Sequence, residues 1–163
     1  MKVLLATEKP FAAAAVQGIR KAIEEGGHTL AIIEKYTDRA QLLEAVKDAD
    51  ALIVRSDIVD GALMDVAPQL KIVVRAGAGY DNIDLKAATV HNIVVENTPG
   101  QNSNAVAELV FGLAVMAVRN MYAGTSGTEL KGKRLGIHAF GQVGRNVARI
   151  AKGFGMERSE ERR

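Results

Sequence analysis

Two arginines follow short apolar runs in this sequence: Arg55 after Ala51–Val54, and Arg75 after Ile72–Val74. A guanidinium pairs bidentately with a carboxylate or a phosphate. Ser56 adds a hydroxyl beside the first arginine. Arg75 opens the segment Arg75-Ala76-Gly77-Ala78-Gly79. Glycines at 77 and 79 would let successive backbone N–H groups face an anion. The competing reading is two solvated arginines and glycines that only turn the chain. A second constellation is Ala139-Phe140-Gly141-Gln142-Val143-Gly144, between an apolar run and an amphipathic stretch. A dinucleotide fingerprint, G-x-G-x-x-G, needs this strand-to-helix context. There Gly141 would let the backbone approach a pyrophosphate, and Gly144 would let helix and strand pack closely. Free N–H groups of Gln142, Val143 and Gly144 at the helix start would meet the phosphates. Ala139 stands where the first glycine is expected, and a side chain there resists a turn of positive φ. The competing reading is an ordinary strand–turn–helix.

The elements that must position these residues follow from hydrophobic spacing. Apolar runs at Val3–Ala6, Leu30–Ile33, Ala51–Val54, Ile72–Val74 and Ile93–Val95 predict five strands. Helical stretches separate them. Pro10 is expected near the first turn of a helix carrying Ala12, Val16, Ile19 and Ile23. Asp38 caps a helix with Leu42, Leu43 and Val46, and short helices follow at Asp60–Val66 and Leu85–Val90. Continuous apolar strands alternating with helices predict a parallel sheet covered on both faces. Residues 1–100 are therefore read as one α/β unit. A helix over 103–120 is apolar nearly all round, which requires burial between domains or subunits. Residues 123–127 read as a linker. A strand at Arg134–His138 and a helix at Val143–Phe154 begin a second unit over 101–163.

Composition narrows the partners. Basic and acidic residues number 21 and 19, and aromatics make up 4%, which argues against nucleic acid. The sequence has no cysteine, so it holds no disulfide framework, thiolate metal site or cysteine nucleophile. That usage suits a reducing cytoplasm. The longest apolar run, Ala105–Val118, contains Glu108 and is shorter than the roughly 20 residues a bilayer requires.

Four segments give a resemblance: VRSD at 54–57, VVRAGAGYDNIDLKAAT at 73–89, VVENTPGQNSNAVAELVFGL at 94–113 and GTELKGKRLGIHAFGQVGRNVARIAKGFGM at 127–156. In this order and near this spacing they resemble the D-isomer-specific 2-hydroxyacid dehydrogenases. Within that family they are most similar to members that oxidise 3-phospho-D-glycerate in serine biosynthesis. The resemblance implies a flavodoxin-like substrate-binding domain, then a Rossmann domain for NAD. It implies that Arg55, Ser56, Arg75, Gly77, Ala78, Gly79 and Asn102 line the substrate site. It places Ala78, Asn102, Gly141, Gln142, Val143 and Gly144 against the cofactor.

The resemblance weakens after Met156. The residues Glu157 to Arg163 carry no apolar side chain and are not expected to form a buried strand. They read as a truncated or frameshifted end. The strand at Arg134–His138 is then expected to lack a sheet neighbour. The family's ribose-binding acid, carboxylate-clamping arginine and glutamate–histidine pair are expected downstream. His28 and His91 fall in turns opposite the binding edge, and His138 reads as a strand side chain. The chain alone is accordingly expected to bind NAD weakly and to be inactive. Alternatively, it serves as a non-catalytic anion-binding or subunit-interaction module. A homodimer through the 103–120 helix is expected.

Overall fold

A computed structural model describes residues 1–161. The chain forms two compact units, Met1–Pro99 and Gly100–Arg163. In the first, β1 (Lys2–Thr7), β2 (Thr29–Glu34), β3 (Ala51–Val54), β4 (Ile72–Arg75) and β5 (Val94–Asn97) form one parallel sheet. Its strand order, β2-β1-β3-β4-β5, is the flavodoxin-like order expected of this fold. The helices are α1 (Ala13–Glu25), α2 (Arg39–Val46), α3 (Gly61–Asp65) and α4 (Leu85–Val90). Asp38, Asp60 and Asp84 cap the last three through their carboxylates, which accept first-turn amides. Pro10 lies in the loop before α1, whose N-cap is Ala12, rather than in the first helical turn.

Right-handed crossovers decide which face each helix covers. The path β1 to β2 runs one way across the sheet, and every later crossover runs the other way. Hence α1 covers one face alone, while α2, α3 and α4 share the opposite face. The main core lies on that shared face. Leu4, Ala6, Leu52, Val54 and Val73 pack there with Leu42, Val46, Leu63, Met64 and Ala88. Burying such side chains contributes about 1.5–3 kcal/mol each for the larger ones.

The α1 face is covered unevenly, which corrects the expectation of a sheet buried on both sides. Val3, Ala51, Ile72 and Val94 lie in register across that face. Exposure rises along it from 6% at Val3 to 55% at Val94. The single helix there contributes no fully buried residue.

The second unit holds α5 (Ser103–Val118), a short 3-10 turn (Asn120–Tyr122), β6 (Arg134–His138), α6 (Gln142–Gly153) and β7 (Glu157–Glu161). Its core is a stripe of α5, Ala107 and Phe111, packed with Leu130, Ile137, Val147, Ala148 and Ala151. Phe111 also stacks on Phe154, with ring centroids 5.1 Å apart. The parallel pairing of β6 with β7, in register from Arg134–Glu157 to His138–Glu161, overturns one expectation, that β6 lacks a neighbour. The polar tail is not a buried strand, as expected of its composition, but it does pair as an exposed one through Glu161. Pairing uses backbone groups and needs no apolar side chain, and Glu157 and Ser159 stay exposed.

The connection after α5 is not a loose linker. The Thr128 amide donates to the Val118 carbonyl at 2.8 Å, and Asn120 Nδ2 donates to the Ser126 carbonyl at 2.8 Å. Asn120, Met121 and Tyr122 all take positive φ, at 52°, 55° and 54°. Non-glycine residues seldom adopt that region, and each costs on the order of 1–3 kcal/mol. The apolar character of α5 predicts burial, but Leu109 and Leu113 are each 61% exposed in the single chain.

Candidate functional site

The first cluster sits at the carboxyl edge of the five-stranded sheet. Ala6, Val54, Arg75 and Asn97 are lateral neighbours in the sheet register. Arg75 is thus the last residue of β4, and Arg55 is the first residue past β3. Both arginines and Ser56 come to the same edge, next to the β1/β3 switch point where open sheets bind ligands. Neither arginine enters an ion pair among the described residues. Arg75 Nε is buried without a hydrogen-bond partner among the described residues. An unsatisfied buried donor is costly unless a ligand or water supplies the acceptor.

The 77–79 loop works differently from its sequence reading. Neither glycine needs positive φ. A Cβ on Gly77 would stand 1.3 Å from Arg75 Nη1, so glycine leaves the guanidinium free to cross over it. The Gly77 amide does not face outward either; it donates to the Arg75 carbonyl at 2.8 Å. The loop is held from β5, where Asn97 Nδ2 donates to the Ala78 carbonyl at 2.7 Å and the Thr98 amide donates to the Gly77 carbonyl at 2.9 Å.

A second layer of residues, which short-range spacing hardly reveals, fixes the loop after β3. The Asp57 carboxylate is buried and accepts hydrogen bonds from the Glu8 amide at 2.8 Å and from the Tyr36 hydroxyl. Burial, then the bond to Asp57, pushes the Tyr36 phenol above its ordinary range. Nearby, the Arg39 guanidinium holds the Asp60 carboxyl below the usual range. The only local hint was the quoted segment Val54-Arg55-Ser56-Asp57. Partners 49 and 21 residues away cannot be read from it.

Both histidines of this unit lie at the other edge. His28 precedes β2 and sits 3.5 Å from the Met1 amine. His91 follows α4 and pairs with Asp65 at 3.2 Å.

The second cluster belongs to the second unit. Ala139 takes φ 74°, so the turn keeps its left-handed residue despite the side chain. Gly141 is the N-cap of α6, and a Cβ there would meet nothing within 4 Å, leaving open space before the helix amides. Gly144 is different: a Cβ would stand 2.5 Å from the Ala139 carbonyl and 3.3 Å from Ile137 Cγ2. Helix and strand are that close only because residue 144 lacks a side chain. Gln142 and Val143 complete the first turn of α6. An open glycine, a positive-φ residue and free first-turn amides fit a pyrophosphate. Asn102 also lies in this unit, exposed at the N-cap of α5, where its side chain makes no cap bond. Beside it, Ser103 Oγ donates to the Gly100 carbonyl at 2.7 Å and accepts from Asn146 Nδ2 at 3.1 Å. Among the described residues no group of acids, cysteines and histidines could hold a metal ion. No helix among them is long and apolar enough to cross a membrane.

Comparison with known proteins places this arrangement. Residues 5–155 match the model of the D-isomer specific 2-hydroxyacid dehydrogenase, catalytic domain. The chain is 42% identical over 132 residues to D-3-phosphoglycerate dehydrogenase of Methanocaldococcus jannaschii, an alignment covering 72% of this chain and 25% of that protein. It is 36% identical to glyoxylate reductase of Thermococcus litoralis, over 85% of this chain and 51% of that protein. The NAD+-bound 3-phosphoglycerate dehydrogenase of Entamoeba histolytica superposes with TM-score 0.94 at 48% identity, over 99% of this chain and 53% of that one. The chain thus spans between a quarter and about half of the length of these relatives. With the parallel sheet, the paired strand-end arginines and the glycine turn, the match shows that this chain belongs to the D-isomer-specific 2-hydroxyacid dehydrogenase family.

Proposed function

We propose that this chain supplies the substrate-binding domain and the pyrophosphate turn of an NAD-dependent dehydrogenase acting on a phosphorylated D-2-hydroxy acid, 3-phospho-D-glycerate. The observation that carries it is the register of Arg75 beside Val54, which brings Arg55, Ser56 and an Arg75 Nε without a partner among the described residues to one edge. A substrate bearing a phosphate and a carboxylate offers acceptors for both guanidinium groups. The Ala78–Gly79 backbone, fixed by Asn97, forms the adjoining wall. Bound NAD would supply the hydride acceptor. Gly141, Gln142, Val143 and Gly144 would hold its pyrophosphate through backbone amides.

Removing hydride from a carbinol carbon also requires a base for the hydroxyl proton. His28 and His91 are at the wrong edge to serve. The reading is therefore that residues 1–161 bind and orient the substrate, with neither of these two histidines as its base. A cysteine-free chain suits a reducing cytoplasm. The exposed apolar face of α5 favours a homodimer built on that helix.

Separate calorimetric titrations with 3-phosphoglycerate and with NAD test the proposal. Saturable 3-phosphoglycerate binding that Arg75→Ala abolishes supports the substrate site. Unchanged binding in that variant overturns it. NAD binding lost in Gly141→Ala supports the pyrophosphate turn, and NAD binding indifferent to that change overturns it.

A further inference from the structure

We propose that Asp57 is the positioning residue of the anion site, its buried carboxylate holding the Arg55–Ser56 segment in place by tying it to the loops after β1 and β2. The inference rests on the substrate-site reading above and extends it to a residue that touches no substrate.

Asp57 is 6% exposed, and its contacts reach its own loop and the loops after three other strands. Its Oδ1 accepts from the Glu8 amide at 2.8 Å, after β1, and from the Tyr36 hydroxyl, after β2. Its Oδ2 faces the amides of Arg55 at 3.4 Å and Ser56 at 3.3 Å, after β3. Its carbonyl accepts from Asn82 Nδ2 at 2.7 Å, after β4. The loop after β4 returns the tie, since the Val59 amide donates to the Asn82 carbonyl at 2.9 Å. The β1 loop is braced a second time, as buried Thr7 donates its hydroxyl to the Lys9 carbonyl at 2.7 Å.

The chemistry of the partners explains why an acid stands here. All the groups facing the carboxylate are donors, and an ionised carboxylate is an acceptor only. An asparagine would turn an N–H2 group toward some of those donors. No Lys or Arg side chain pairs with Asp57 among the described residues. Its charge is spread over backbone and hydroxyl donors instead. The carboxylate therefore orders the backbone of Arg55 without consuming its guanidinium, which stays available to an external anion.

The test is titration of 3-phosphoglycerate into the 163-residue chain and into three variants, all well below the melting temperature. Melting temperature and circular dichroism are recorded alongside. Asp57→Asn is expected to weaken binding about tenfold or more while remaining folded, as a buried donor pair in place of an acceptor disturbs the loop. A lowered melting temperature with unchanged affinity would mean that Asp57 only stabilises the fold, and would overturn the proposal. If Asp57→Asn does not fold, Tyr36→Phe decides, because it cuts one tie to the same carboxylate while the Glu8 amide still donates to that oxygen. It is expected to weaken binding by about threefold or more, and no change would overturn the proposal. Arg75→Ala separates the two levels. If it leaves affinity unchanged, the substrate-site reading itself fails. If it weakens binding while Asp57→Asn and Tyr36→Phe do not, only the role of Asp57 fails.

Discussion

The Arg75 guanidinium crosses directly over Gly77, so closely that a Cβ at residue 77 would stand 1.3 Å from Nη1. The obstructing atom is the end of a flexible side chain, so Gly77→Ala can be accommodated if the guanidinium swings away. That variant is expected to stay folded, with a melting temperature within about 4 °C of the parent. Its affinity for 3-phosphoglycerate should fall about tenfold, because the displaced guanidinium no longer meets the anion. Calorimetry with a parallel thermal melt checks both. Unchanged affinity would show that Arg75 does not need this path.

The two glycines of the turn before α6 should respond oppositely to a methyl group. Gly144→Ala forces a Cβ to 2.5 Å from the Ala139 carbonyl, where backbone must move. It should destabilise the second unit by about 1–3 kcal/mol. Gly141→Ala meets nothing within 4 Å. Its stability cost should be below about 1 kcal/mol, while the added methyl occupies the space assigned to a pyrophosphate. Denaturant melts combined with NAD titration distinguish the two effects.

Ala139 holds φ 74°, a region an alanine enters at a cost. Ala139→Gly should therefore stabilise the second unit, by about 1 kcal/mol once the greater chain entropy of glycine is subtracted. Ala139→Val should destabilise it, since β-branched residues tolerate positive φ least. Urea denaturation of the three chains tests the ordering Gly above Ala above Val.

Tyr36 carries a pH signature. Its phenol is raised above the ordinary value because it is buried and bonded to Asp57. The folded state thus favours the neutral phenol. The stability this contributes is complete below the unfolded value, about 10, and is lost as pH rises toward the folded one. Tyr36→Phe should be less stable than the parent by about 1 kcal/mol near neutrality. The gap should narrow above about pH 10. Urea melts at pH 8 and pH 10.5 make the comparison, and a gap independent of pH would contradict the assignment.

The face of α5 that carries Leu109 and Leu113, each 61% exposed, is the expected dimer surface. Sedimentation should show a dimer that Leu109→Glu and Leu113→Glu dissociate, while the α5 stripe of Ala107 and Phe111 keeps the unit folded. A monodisperse monomer of the parent chain at high concentration would count against the surface.

What was legible in the sequence is what short-range spacing encodes. Five apolar runs located the strands of the sheet, and their alternation with helices set a parallel order. Arg55 and Arg75 could be placed at one edge because each closes a strand of known direction. The Gly141–Gly144 turn was visible because strand, turn and helix are contiguous in the chain. The tertiary structure decided the rest, where partners are distant or backbone geometry rules. Asp57 shows its role only when Glu8 and Tyr36, 49 and 21 residues away, reach its carboxylate. Gly77 is glycine for clearance beneath Arg75 rather than for positive φ, and only coordinates distinguish those reasons. The polar segment Glu157–Glu161 pairs as a strand because pairing is a backbone property, whereas hydrophobic pattern reports burial. The exposed flank of α5 has the same origin: composition states that a face is apolar, and the fold determines which stripe of it finds a partner.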